Sequence, residues 1–210
     1  MNGNPNRIHL VGHSSGAHIC ALALIEGCCT SRHHDVVNGY VGLSGVFSIP
    51  DHFEWEKQRG VEELSPMAPA NRRRSQSEFP NEISPSLTPI EMFQTDRVLL
   101  LHGSKDNVVP FRSTTRFRDS KLLKRVKHVR CRIVPNAGHV DPIMSVMRRR
   151  GEFWMRLCCF VKGEDDASDN ISVKEEEINR RWWWYGGGGK RYFVVGLMLL
   201  IVYCLRRRRM

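Results

Sequence analysis

The sequence has no CxxC pair and no evenly spaced cysteine framework. Its seven cysteines, at positions 20, 28, 29, 131, 158, 159 and 204, are odd in number and twice vicinal. Several stand in apolar surroundings, where a thiol behaves as a small hydrophobe. That pattern argues against a secreted domain stapled by disulfides and for a reducing compartment. No signal peptide is expected, because the first apolar run, Ile8 to Val11, is far too short for an h-region. The basic runs Arg72–Arg74, Lys121–Arg132, Arg148–Arg150 and Arg206–Arg209 lack interleaved aromatics and any nucleic-acid module around them. The formal net charge of +10 therefore does not point to nucleic acid; a membrane surface is the better partner for it. His33, His34 and Asp35 have no further ligand at metal spacing and read as a solvated loop, so no metal is expected.

What is present fits one domain of ordinary size plus a tail. The chain has 210 residues, 41% of them hydrophobic and 26% charged, a globular composition. Short β-rich runs alternate with helical patterns, the signature of a parallel sheet covered by helices. Strands are expected at Arg7–Val11, Val36–Leu43, Arg97–Leu101 and Arg130–Val134. The third is almost unbroken in its apolar character, which implies burial on both faces. Helices are expected at Ala17–Glu26, Pro50–Arg59, Phe111–Lys124 and Pro142–Val161, and Ser65–Pro89, rich in proline, reads as loop. The fold class is α/β, a three-layer α/β/α sandwich with about four parallel strands.

Gly12-His13-Ser14-Ser15-Gly16 fits G-x-S-x-G. This pattern needs a sharp turn from strand to helix that holds the serine in a strained conformation with its hydroxyl exposed. An apolar strand precedes it here and an alanine-rich helix follows, which separates it from an ordinary turn with two N-capping serines. An acid and then a histidine should come later in the chain. Asp106 stands just past an apolar strand, at the edge where parallel sheets place their sites; for an isolated Asp the plain alternative is an Asx-turn. His139 again follows a strand and precedes a helix. Ser14, Asp106 and His139 are thus the candidate nucleophile, acid and base, and the Ser15 N–H is the candidate oxyanion donor. His18 reads as a packing or capping residue, and core packing is the default for Phe53 and Trp55.

The stretches GHSSGAHI, HGSKDNVVP and NAGH, with GLSGVFSIPDHFEWEKQRGVEELSPM between them, resemble the α/β-hydrolase superfamily. Within it they are similar to the esterase branch of prenylcysteine methylesterase-like, kynurenine formamidase-like and feruloyl or acetyl-xylan esterase-like proteins. The resemblance covers about residues 5 to 162 and implies hydrolysis of a carboxylic ester or activated amide without metal or organic cofactor. It does not fix the substrate. One departure stands out: the serine is at position 14, whereas in the superfamily it follows more than a hundred residues. Those residues form the first strands and carry an HGGG-type loop that supplies the second oxyanion N–H. Losing one such donor costs about 10² to 10³ in turnover. The expectation is an N-terminally truncated hydrolase, the C-terminal half of the fold, whose strand ending at Val11 has lost its neighbour. Its edge would then expose unpaired N–H and C=O groups.

Beyond a partial hydrolase domain over 1–162, residues 163–191 read as a linker, first acidic and then aromatic and glycine-rich. Tyr192–Leu205 is an uncharged apolar run of fourteen residues closed by Arg206–Arg209. As a helix it spans about 21 Å, against a hydrocarbon core of about 30 Å. Flanking basic residues that snorkel make a membrane anchor the preferred reading, with the hydrolase domain in the cytosol. A membrane-surface segment or a tail without selected function are its alternatives. Three functions follow: a membrane-tethered serine esterase acting on a small or lipophilic ester; a non-catalytic fragment kept as an interaction or anchor module; and a basic peripheral membrane protein with a vestigial hydrolase half.

Overall fold

The computed structural model describes residues 8–26, 37–64, 83–89 and 93–164, with the backbone of one further strand over 200–204. Strand β1 (Ile8–His13) leads into helix α1 (Ser15–Glu26), then β2 (Val37–Leu43) and α2 (Ile49–Gln58). Strand β3 (Arg97–Gly103), helix α3 (Arg112–Arg118), strand β4 (His128–Val134), and helices α4 (Asp141–Arg148) and α5 (Glu152–Lys162) follow. The last strand is β5 (Leu200–Cys204). The sheet runs β4-β3-β2-β1-β5, with β1 to β4 mutually parallel and β5 antiparallel to β1.

Side chains alternate across this sheet, and each face acquires its own helical layer. On β3, Val98 and Leu100 point to the layer that holds Ala17, Ala21 and Leu24 of α1 and Phe117 of α3. Leu99 and Leu101 point the other way, to Val146 of α4 and Phe153, Leu157 and Phe160 of α5. The three-layer sandwich with four parallel strands is thus present. β2 and β3 are buried on both faces, as the almost unbroken apolar run of β3 requires, whereas β4 is largely half-exposed.

Three elements differ from the sequence expectation. Phe111–Lys124 is not one helix: α3 ends at Arg118, and a short 3₁₀ turn over Leu123–Arg125 follows. Ser120 explains the break, because its hydroxyl accepts from the Leu123 N–H at 3.3 Å and so caps the second turn. Pro142–Val161 is likewise two helices. Arg149 adopts the left-handed conformation at φ 53, Gly151 follows at φ 86, and the Ser145 hydroxyl accepts from the Trp154 N–H and donates to the Arg150 carbonyl. Gly151 is the local signal for that stop.

The third difference is the tail. Instead of a membrane-anchor helix through 192–205, the described part, Leu200–Cys204, is a strand paired with Ile8–Gly12. The physical reason lies in β1, whose outer N–H and C=O groups need partners. The edge expected to stand open is therefore paired over these residues. No helix among the described residues is long and apolar enough to cross a membrane. Residues 65–82 of the expected Ser65–Pro89 loop, the His33-His34-Asp35 group, the part of the expected linker beyond 164 and the run 192–199 lie outside the described residues. None of the described cysteines, 20, 131, 158 and 159, is in a disulfide.

Candidate active site

β1 ends at His13, and Ser14 makes the whole turn into α1. Its backbone sits at φ 55, in the left-handed region that costs a non-glycine residue about 1–3 kcal/mol. Two anchors hold it there: the Ser14 N–H donates to the Leu43 carbonyl at 2.9 Å, and the Ser14 carbonyl accepts from Ala17 and His18 N–H groups. Strand and helix approach so closely that a Cβ on Gly12 would fall on the Gly16 carbonyl, well inside contact distance. That is the steric need behind small residues on either side of the serine. Ser15 is the first residue of α1, so its N–H has no intrahelical acceptor and stands at the positive end of the helix.

The acid and the histidine come from adjoining loops after β3 and β4, and the two loops are tied together. Ser104 N–H donates to the Val134 carbonyl and Lys105 N–H to the Ala137 carbonyl, both at 2.9 Å, and Ser104 Oγ accepts from Asn136 N–H at 2.9 Å. Gly103 faces the Ala137 carbonyl at a distance that admits no side chain. From these loops the three predicted residues meet in one line. Asp106 Oδ2 accepts from His139 Nδ1–H at 2.7 Å, and His139 Nε2 lies 3.1 Å from Ser14 Oγ. Because a carboxylate only accepts, the imidazole proton belongs on Nδ1, and Nε2 is left to accept from the Ser14 hydroxyl.

Asp106 is buried, and burial by itself would raise its pKa. Donors from His102, His139 and the Val109 amide outweigh that and hold the carboxyl well below the usual range. Its Oδ1 accepts from the Val108 and Val109 N–H groups at 3.0 and 2.9 Å, so the Asx-turn and the acid are the same side chain in two uses.

Two further histidines, which sequence reasoning left unassigned, adjoin this line. His13 Nε2 donates to the His139 carbonyl at 2.8 Å, and its ring stands 4.8 Å from that of His139. Burial is the main cause that lowers the His13 pKa to about 4; the bond to the His139 carbonyl opposes it, and the charge of His139 adds to it. His102, fully buried at the end of β3, lies 3.1 Å from Asp106 Oδ2. The signal for it was a polar residue closing an unbroken apolar strand, since a buried imidazole requires partners.

Two of the weaker candidates, His18 and Phe53, resolve as packing. His18 is buried and its Nδ1–H donates to the Val46 carbonyl at 2.7 Å. Phe53 packs beside Val46, Ile49 and Val109. His52 and Glu56 pair at 3.2 Å on α2, and burial lowers the His52 pKa against the pull of Glu56. No group of three or more metal-binding side chains occurs among the described residues.

The model for the prolyl oligopeptidase family matches residues 3–162. The chain belongs to that family, within the α/β-hydrolase superfamily. Two plant proteins are among those similar to this chain. The isoprenylcysteine alpha-carbonyl methylesterase of Arabidopsis thaliana is 31% identical over 139 residues, which is 57% of this chain and 30% of that protein. A probable isoprenylcysteine alpha-carbonyl methylesterase of Oryza sativa subsp. japonica is 31% identical over 123 residues, 55% of this chain and 30% of that protein. The matches thus span under a third of the length of these two relatives. Among solved structures, an acylaminoacyl peptidase in complex with Z-Gly-Gly-Phe-chloromethyl ketone aligns with a TM-score of 0.52 at 17% identity. The alignment covers 84% of this chain and 26% of that one, and it speaks for the fold.

Proposed function

We propose that this chain carries the chemistry of a serine hydrolase acting on carboxylic esters, with Ser14 as nucleophile, His139 as general base and acid, and Asp106 as the orienting acid. The observation that carries the reading is the unbroken Ser14–His139–Asp106 line, with the imidazole proton held on the carboxylate side. Ser14 Oγ bonds to the acyl carbon while its proton passes to His139 Nε2. The resulting oxyanion lies against the Ser15 N–H at the start of α1. When the tetrahedral species collapses, the carbon–oxygen bond to the alcohol breaks and the His139 proton leaves with the alkoxide. Water then repeats the sequence on the acyl-enzyme and releases the acid. Each proton and electron pair is accounted for by these groups, so the chemistry calls for no metal or organic cofactor.

The methylesterase relatives favour a lipophilic ester of the prenylcysteine type over a polar one. On the same reading Arg206–Arg209, outside the described residues, bring the enzyme to the anionic surface where such esters partition. A fluorophosphonate probe tests the chemistry. The expected result is labelling of the chain that is lost in Ser14→Ala and slowed by about 10² to 10⁴ in His139→Ala. Equal labelling of Ser14→Ala, or none of a chain shown to be folded, overturns the proposal in favour of a non-catalytic hydrolase fragment. Turnover of a prenylcysteine methyl ester beside a water-soluble methyl ester then ranks the substrate class.

A further inference from the structure

Asp106 serves two imidazoles through one oxygen. Its Oδ2 lies 2.7 Å from His139 Nδ1 and 3.1 Å from His102 Nε2. The His102 Nε2 also lies 2.9 Å from the Val109 carbonyl, and its Nδ1 lies 2.7 Å from the Thr114 hydroxyl on α3. His102 and Thr114 are both completely buried.

These contacts settle the tautomer. Both neighbours of His102 Nε2, a carboxylate and a carbonyl, can only accept, so Nε2 must carry the proton. In the neutral imidazole Nδ1 is then a lone pair, and the Thr114 hydroxyl donates to it. The result is one directed chain. Thr114 donates to His102, and His102 donates to Asp106 Oδ2 and the Val109 carbonyl. From the other side, Ser14 donates to His139 and His139 donates to the same Oδ2. A hydroxyl that donates to an imidazole polarises the far N–H, which makes His102 a stronger donor to the carboxylate.

We infer that His102 is a positioning residue for the reaction and that Thr114 sets its donor direction, an inference that rests on the proposed triad. Two amides fix Asp106 Oδ1, and His102 supplies Oδ2 with a second donor beside His139. The carboxylate plane cannot then rotate out of line with His139 Nδ1, and the buried charge has a donor that does not depend on the state of His139. The hydrogen-bond partners of His102 are Asp106, Val109 and Thr114 and do not include Ser14, so its action passes through Asp106.

The experiment is a long-range proton–nitrogen NMR correlation on the imidazoles of the nitrogen-15-labelled chain, assigned with His102→Gln and His139→Ala. Wild type is expected to show His102 protonated on Nε2 and His139 on Nδ1. In Thr114→Val, which keeps the side-chain volume, His102 Nδ1 should move to the position of an unbonded acceptor. His139 Nδ1 should move in the same spectrum, towards a stronger hydrogen bond, because the competing donor on Oδ2 has weakened. Thr114→Ser should restore both signals. His102→Gln, which keeps an N–H₂ donor, should leave His139 nearer to wild type than His102→Phe does. A His139 signal unmoved in Thr114→Val while the His102 signal moves overturns the inference, as does a wild-type His102 protonated on Nδ1. If His102→Phe fails to fold, the two Thr114 variants decide the matter. A wild-type His139 protonated on Nε2 overturns the triad and this inference with it, whereas failure of the Thr114 response alone leaves the triad standing.

Discussion

Acidification should weaken this fold through His13, by an amount that can be worked from its surroundings. The folded chain holds His13 neutral, with its pKa lowered from the ordinary 6.5 to about 4, mainly by burial. Below pH 6.5 the unfolded chain takes up a proton at this position that the folded chain refuses until about pH 4. Stability is therefore unaffected by His13 above that window and falls as pH drops through it. At about 1.4 kcal/mol per pH unit the difference is worth about 3 kcal/mol, a large part of the stability of a small domain. The perturbation is His13→Gln, whose amide N–H₂ can still reach the His139 carbonyl but does not titrate. The assay is urea unfolding of both proteins between pH 7 and pH 4. His18 and His52, whose pKa values are also lowered by burial, respond equally in both and cancel from the comparison. The expected outcome is that wild type loses about 3 kcal/mol more than His13→Gln over that range. Parallel loss in the two proteins would refute the assignment of a half-buried neutral imidazole at position 13.

Other outcomes follow from the packing. Gly103→Ala drives a methyl group into the Ala137 carbonyl and parts the loops that carry Asp106 and His139. A displacement of about 1 Å there is expected to slow fluorophosphonate labelling by about 10²-fold, and an unchanged rate would show that the loops yield without cost. Phe117 is fully buried and stacks on Phe47 at 4.2 Å between ring centroids. Its replacement by Ala should cost about 3–5 kcal/mol in chemical denaturation, and less than 1 kcal/mol, the range of a surface change, would contradict its place in the core. Removal of residues 192–210 uncovers the Ile8–Gly12 edge that β5 pairs. Light scattering should then show association that grows with concentration, and a strictly monomeric product would mean that the edge needs no partner.

Much of the site was legible because its signals are local. A strand, a tight turn and a helix around Ser14 can be read from some twenty consecutive residues, since each element depends on its own apolar period and its own small residues. Asp106 and His139 were readable for the same reason, each standing at the end of a strand with helix-forming residues beyond. The four parallel strands followed from short β-rich runs alternating with helical patterns, and the burial of β3 on both faces from its almost unbroken apolar run. Helix ends were less legible. Ser120, Arg149 and Gly151 stop helices that the apolar stripe alone would continue, because a hydroxyl cap or a left-handed residue overrides side-chain period.

The sequence by itself determined the candidate side chains for chemistry, their order along the chain and the kind of sheet that would carry them. Only the tertiary structure decided which partners those side chains acquire. His139 meets Ser14 across 125 residues and Asp106 across 33, and His13 reaches the His139 carbonyl across 126. The tautomers of His102 and His139 follow from those partners and from nothing in the residues alone. The tail was decided in the same way. As a run of letters Tyr192–Leu205 is an apolar segment suited to lipid, but an edge strand with unpaired amides offers the backbone of Leu200–Cys204 a partner along one side. Local hydropathy cannot register such an edge, because the groups that need partners belong to residues nearly two hundred positions away.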